Sequence, residues 1–253
     1  VLTYHQAFCE KELSMQQSFR LMILLSELRS ALRIMEELAE QAENNIADLI
    51  EKAELPGALE ISEYEDEVED EDGQVYCTKT EVYSYGPCSS VFEDEVVLEY
   101  KHLISNLNRR SVFLTIYGLF EHHINKLLPD LISISGYAAA DRDAILKKIN
   151  DAFLFRGFEF LQGDIYHLSG LRNSLAHNNG EFAHVVSELQ KGMVLERKQQ
   201  RSWDSVNYLL SKDSGVTLNC FNEVSLSEGF LKYTINEINL YFEQMDKGFN
   251  SLC

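Results

Sequence analysis

Residues 171–180 read Leu-Arg-Asn-Ser-Leu-Ala-His-Asn-Asn-Gly, and they place a fixed cation, an amide and an imidazole at the closing end of a helix-compatible stretch. Arg172 can hold a phosphate through paired hydrogen bonds and stays charged at any cellular pH. His177 is the side-chain type that takes and returns a proton near neutrality. With Asn173 between them, these groups are equipment for cleaving a phosphodiester such as RNA without a metal. No other arginine of the chain has a histidine five to seven positions downstream. On an ideal helix, residues five apart diverge by about 140° and by about 7.5 Å along the axis. That is poor geometry for one phosphate, so either the helix loosens at His177 or two chains contribute.

The Arg-Asn-x-x-x-His core, with Leu175-Ala176 before the histidine, resembles the signature of the HEPN superfamily. These are small all-helical domains that include prokaryotic endoribonucleases of toxin and antiviral systems. In them an earlier helix often adds an acid, and Tyr117-Gly118-Leu119-Phe120-Glu121-His122-His123-Ile124 is similar to that helix, with Glu121 in the place of the acid. The resemblance spans roughly residues 90 to 253 and leaves out the first third of the chain. It implies a two-fold homodimer with motif helices face to face, an isologous arrangement. The roles it implies are His177 as base, Arg172 as phosphate holder, Asn173 as orienting group and Glu121 as the partner of Arg172 or of the imidazole. It also implies an RNA substrate, no metal or other cofactor, and an antitoxin or regulatory protein as a partner. A different reading of the same residues is a HEPN-like dimerising scaffold without catalysis, binding a partner protein or nucleic acid.

Other chemistries find less in the sequence. His122 and His123 are adjacent and diverge by roughly 100° on a helix, so they cannot chelate one metal together. There is no Gly-x-x-x-x-Gly-Lys loop and no Gly-x-Gly-x-x-Gly turn. The five cysteines are scattered and never paired as Cys-x-x-Cys, which argues against a disulfide framework and for a reducing, cytoplasmic setting. No apolar run is long enough to span a bilayer and no secretory leader is evident at Val1, so a soluble protein without membrane contact is expected.

A net charge of −19 opposes nucleic-acid binding, but its distribution softens the objection. Residues 1–99 carry 6 basic and 24 acidic side chains, −18, whereas residues 100–253 carry 16 and 17, −1. Arg142, Lys147, Lys148 and Arg156, with Lys191, Arg197, Lys198 and Arg201, either form a basic rim around the motif or are ordinary solvated helix charges. Their spread favours the second.

The elements that must position these residues are mainly helical. Three prolines among 253 residues with 45% hydrophobic content suit a helical bundle of one or two domains. Leu21, Leu25, Leu28, Leu32, Met35, Ala39, Ala42, Ile46, Leu49 and Ala53 alternate spacings of four and three, a heptad seam that predicts one helix from about Gln6 to Ala53. It packs on a second long helix or on a partner molecule. An acidic run from Glu60 to Asp72 reads as a solvated loop, followed by a strand over 74–85 with an Asp72-Gly73 turn before it, a β-hairpin insertion. That acidic strip is a solubilising segment or, less simply, an RNA mimic covering the active surface.

Ser90-x-x-Glu93 predicts the start of a second long helix that runs to Leu128 and carries Phe92, Val96, Leu103, Leu107, Leu114, Tyr117, Phe120, Ile124 and Leu127 on its apolar stripe. Glu121 falls beside that stripe. A shorter helix over 141–153 precedes the motif helix, which Asp164 caps and Asn178-Asn179-Gly180 ends. Ile165, Leu168, Leu171 and Leu175 face its core. A helix over 182–199, a hairpin of 206–210 with 216–221, and a final helix capped by Ser225-x-x-Glu228 complete the prediction. The domain borders expected are 1–57 for the long helix, 58–89 for the insertion and 90–253 for the HEPN-like bundle.

Overall fold

Long runs of good helix formers with little punctuation give a mainly helical chain. The computed structural model describes residues 4–69, 75–140 and 143–252. The expected Asp72-Gly73 turn, the acidic Asp70, Glu71 and Asp72, the helix start at Asp141 and the rim residue Arg142 lie outside the described residues. Among those described, the order is α1 (Tyr4–Ala53), β1 (Glu60–Glu69), β2 (Val75–Tyr85), β3 (Cys88–Ser90), α2 (Glu93–Ser135), α3 (Ile145–Phe155), α4 (Ile165–Asn178), α5 (Ala183–Gln190), α6 (Arg197–Leu210), β4 (Val216–Leu218), β5 (Val224–Leu226) and α7 (Phe230–Leu252). The strands form an antiparallel sheet in the order β1-β2-β3 and a separate β4-β5 pair. No helix among the described residues is long and apolar enough to cross a membrane. The chain divides into two compact units, Val1–Ala39 with Ser111–Cys253, and Glu40–Arg110. The division falls inside α1 and α2, whereas the expected borders fell at 57 and 89.

In the Glu40–Arg110 unit the acidic run from Glu60 to Glu69 is not a loop. It forms β1, paired with β2 from Glu60↔Ser84 to Glu69↔Val75. Extension sends neighbouring carboxylates to opposite faces, and Lys79 lies opposite Glu65, with its ammonium 2.9 Å from Glu65 and 3.5 Å from Glu63. Ser90 belongs to β3 and does not cap α2 as a Ser-x-x-Glu box. Its hydroxyl donates to Glu95 at 2.6 Å and accepts the Phe92 N–H at 3.2 Å, and the helix starts at Glu93. Buried Arg109 donates to Glu43 from Nε at 2.8 Å and from Nη2 at 2.6 Å, a two-pronged pair joining α2 to α1.

In the larger unit Arg20 meets Asp130 at 3.1 Å and Lys126 meets Glu27 at 2.5 Å, so here α1 and α2 run antiparallel. The buried stripe of α1 is Leu24, Leu28, Ala31, Met35 and Ala39, while Leu25 and Leu32 of the expected seam are half-buried. A straight helix drifts by about 20° per heptad against a seven-residue repeat, which moves the contact line by a residue. Helix α2 continues through Pro129 to Ser135 instead of stopping at Leu128. Pro129 and Asn125, whose carbonyl the proline cannot satisfy, are both exposed, so water can take the missing bond. Its core stripe in this unit is Phe113, Ile116, Tyr117, Phe120, Ile124, Leu127 and Leu131. Phe92, Leu103 and Leu107, all expected on the stripe, lie in the other unit and are exposed.

The core is aromatic. Phe120 meets Tyr241 edge-on at 5.4 Å, Phe113 meets Phe230 at 5.1 Å, and Phe153 contacts both Phe160 and Phe249 at 5.1 Å. Helix α7 supplies Leu231, Ile235, Ile238, Tyr241, Phe242 and Met245 to it. The helix expected over 182–199 is two helices, broken where Gly192 takes φ 71°, a conformation that favours glycine. Residues 206–210 are the end of α6 rather than a strand, because Val206 and Leu209 are buried at helical spacing. Ser225 lies in β5, so α7 starts after Gly229 without a Ser225-x-x-Glu228 cap.

Candidate functional site

Helix α4 carries the motif, and its four apolar residues Ile165, Leu168, Leu171 and Leu175 are all buried as their spacing requires. That fixes the rest of the helix. Arg172 falls toward α2, and Asn173 and His177, one turn apart, fall on the side of α6. Arg172 is half-buried. Its Nη2 lies 3.1 Å from Glu121 Oε2, and its Nη1 donates to Asn173 Oδ1 at 2.9 Å. Glu121, Arg172 and Asn173 are therefore one linked group, while His177 stands apart from it, exposed in the last turn of α4. Beneath them the phenol of Tyr117 is wholly buried, and burial pushes its pKa well above the ordinary tyrosine value.

Helix α6 runs antiparallel to α4 and closes the site. At one end, Asp164 directly before α4 binds Lys212 Nζ at 2.6 and 2.8 Å, Tyr208 Oη at 2.8 Å and the Tyr233 hydroxyl. This carboxylate was expected to cap α4 and makes no such bond. Burial alone would raise its pKa, but the hydrogen bonds from Lys212, Tyr233 and Tyr208 outweigh burial and hold it below the usual carboxylate range. His167, one turn on, stacks on Tyr208 with ring centroids 3.7 Å apart, and burial lowers its pKa. In the middle, Gly170 faces Ser205 so closely that a Cβ on the glycine would lie 2.2 Å from Ser205 Oγ. Only glycine fits, and this close approach brings the first turns of α6 beside the motif.

The result is a cleft of about 590 Å³ lined by Tyr166, Ser169, Asn173 and His177 from α4 and by Arg197, Lys198 and Arg201 from α6. The three cations are exposed and have no ion-pair partner among the described residues. A second cleft of about 590 Å³ holds Glu121, Lys147 and Asp151 and shares Tyr166, Ser169 and Asn173 with the first, so Asn173 lies on both. Of the expected rim, then, Arg197, Lys198 and Arg201 line a cleft together with His177. Lys147 reaches Glu121 but is engaged by Asp143 at 2.6 Å and Asp151 at 3.3 Å. Lys148, Arg156 and Lys191 line neither cleft.

A third cleft, of about 640 Å³, has His177, Asn178 and Asn179 on one wall, His184 on another and Gln199 of α6 on a third. The turn between α4 and α5 sets it up. Asn179 (φ 51°) and Gly180 (φ 72°) both take the left-handed conformation, and the N–H groups of both reach the Ser174 carbonyl, a C-cap of the expected kind. Gly180 O accepts the Val224 N–H and Asn222 O accepts the Phe182 N–H, each at 2.9 Å, which pins the turn to the β4-β5 hairpin. Sequence reasoning missed His184. Its signal was the His184-x-x-x-Glu188 spacing on a short helix seven residues after His177, and on structure His184 Nδ1 lies 3.3 Å from Glu188 Oε2. Among the described residues, no group of three or more His, Cys, Asp or Glu is arranged to hold a metal ion. No family model, no curated protein and no solved structure matches the chain.

Proposed function

We propose that this chain is a metal-independent endoribonuclease of HEPN type that works as a homodimer. The observation that carries the reading is the open cleft lined by His177, Asn173 and three cations of α6 that have no ion-pair partner among the described residues. A single RNA strand needs such a cationic wall, since phosphate neutralisation supplies most of its affinity. His177 removes the 2′-hydroxyl proton of a flexible nucleotide, and the resulting oxygen attacks the adjacent phosphorus. Arg172 holds the phosphate and stabilises its developing charge, and Glu121 and Asn173 fix the guanidinium. The products are a 2′,3′-cyclic phosphate and a 5′-hydroxyl.

Arg172 and His177 stand on different sides of α4, which is why a second copy, with its motif helix facing the first, completes the constellation. The physiological role in keeping with the resemblance is that of a toxin or antiphage effector in the cytoplasm, restrained by an antitoxin or regulatory protein. The test is cleavage of single-stranded RNA in excess chelator. His177→Ala is expected to lose about 10²- to 10⁴-fold in rate, with wild-type mobility on sizing. A variant as active as the wild type refutes the assignment and favours a dimerising scaffold without catalysis.

A further inference from the structure

The transesterification needs two proton transfers on opposite sides of phosphorus. As the 2′-oxygen bonds to phosphorus, the P–O5′ bond breaks, and the departing 5′-oxygen requires a proton that the base on the attacking side is badly placed to give. We propose that His184 is the general acid that supplies it, within the same chain as His177. This rests on the reading of the site as an RNA-cleaving one.

Three observations converge on His184. It lines the cleft of about 640 Å³ that His177 also lines, and its side chain is 75% exposed, so a strand entering the cleft can reach the ring. The turn that separates the two histidines is held to the β4-β5 hairpin at Gly180 and Phe182, which fixes the direction of α5 against the end of α4. Finally, Glu188 Oε2 is buried and has no hydrogen-bond partner among the described residues, and His184 Nδ1 lies 3.3 Å from it. A buried carboxylate oxygen is costly without a donor, and Nδ1 is the ring nitrogen beside it, so Nε2 is the nitrogen left to serve a substrate. In the reaction His184 enters as the imidazolium, its Nε2–H passes its proton to the 5′-oxygen as the P–O5′ bond breaks, and the neutral imidazole that remains carries its proton on Nδ1, beside Glu188 Oε2. His177 Nε2 or Nδ1 has taken the 2′ proton, so protons balance and no co-reactant is needed. His167 does not compete for this role, being stacked on Tyr208 with its Nδ1 buried.

The experiment compares an ordinary RNA with the same RNA bearing sulfur at the bridging 5′ position of one linkage, because a thiolate leaves without protonation. Wild type, His177→Ala, His184→Ala and His184→Gln are assayed on both, with thermal melts to establish folding. The expected result is that both His184 variants lose about 10²- to 10⁴-fold on the ordinary linkage and recover to near the wild-type rate on the sulfur linkage, whereas His177→Ala stays slow on both. Full activity of the His184 variants on ordinary RNA, or equal loss on both substrates, overturns the role of His184 and leaves His177 standing. A wild-type protein inactive on both substrates overturns the nuclease reading itself, and this inference with it.

Discussion

Gly170 is the position where one methyl group tests the architecture of the site. Its Cβ would lie 2.2 Å from Ser205 Oγ, 2.4 Å from Ser205 Cβ and 3.9 Å from Ser205 Cα. Ordinary carbon contacts stand at about 3.5–4.0 Å. A serine hydroxyl can rotate away, but its Cβ is fixed to the backbone of α6, so Gly170→Ala must push the helix outward by on the order of 1 Å. Overpacking of this kind costs about 3 kcal/mol at the upper end of its usual range. Alanine returns about 1 kcal/mol in helix propensity, which leaves a net loss of about 2 kcal/mol.

The same substitution in a Ser205→Gly background meets nothing closer than the Cα at 3.9 Å. There it keeps only the propensity gain and stabilises by about 1 kcal/mol. The sign therefore reverses between backgrounds, a coupling of about 3 kcal/mol across the pair. Urea unfolding followed by circular dichroism at constant slope reads it as a midpoint lowered by roughly 1 M in one background and raised in the other. A neutral or stabilising Gly170→Ala in the wild-type background, or an effect of the same sign in both, refutes the close approach of α4 and α6 on which the cationic cleft depends.

Other outcomes follow from the same geometry. Replacing Arg197, Lys198 and Arg201 together by Gln should flatten the dependence of log K on log salt for single-stranded RNA by about 2, at about 0.7 per phosphate contact. Fluorescence anisotropy with His177→Ala protein measures this, and an unchanged slope means that the strand does not lie on α6. Asp164→Asn should lower stability at neutral pH by about 2 kcal/mol, since Lys212, Tyr208 and Tyr233 lose their charged acceptor. The folded Asp164 carboxyl titrates below its unfolded value of about 3.9. Its contribution is thus complete above that pH and is lost as pH falls through the depressed folded value. Unfolding free energies between pH 5 and pH 2 should fall more steeply for wild type than for Asp164→Asn, and parallel curves would remove Asp164 from the account.

The element pattern was largely legible where one periodicity ruled. The 3.6-residue spacing of Ile165, Leu168, Leu171 and Leu175 orients the motif helix, and Asn179-Gly180 ends it, because left-handed backbone is a local property. Cap motifs misled wherever another partner was available. Ser90 and Ser225 became strand residues, and Asp164 left the helix end for a lysine and two tyrosines distant in sequence. A hydroxyl or carboxylate goes to the strongest donor or acceptor it meets after folding, which four-residue motifs do not encode. The acidic run misled for the opposite reason, since pairing with β2 offset a repulsion that the isolated segment would express as a solvated loop.

By itself the sequence determined where the residue types suited to the proposed chemistry lie. Arg172, Asn173 and His177 lie in a single helix at spacings that fix their faces, and Glu121 lies beside an apolar stripe, because helical geometry is local. Only the tertiary structure decided what those faces meet. Packing at Gly170 and Ser205 put Arg197, Lys198 and Arg201 on the cleft that His177 lines, the Glu121 carboxylate took Arg172, and a pinned turn gave His177 and His184 a common cleft. These are contacts between elements far apart along the chain, set by which side chains are small enough to let backbones approach, and no spacing rule within one helix contains that information.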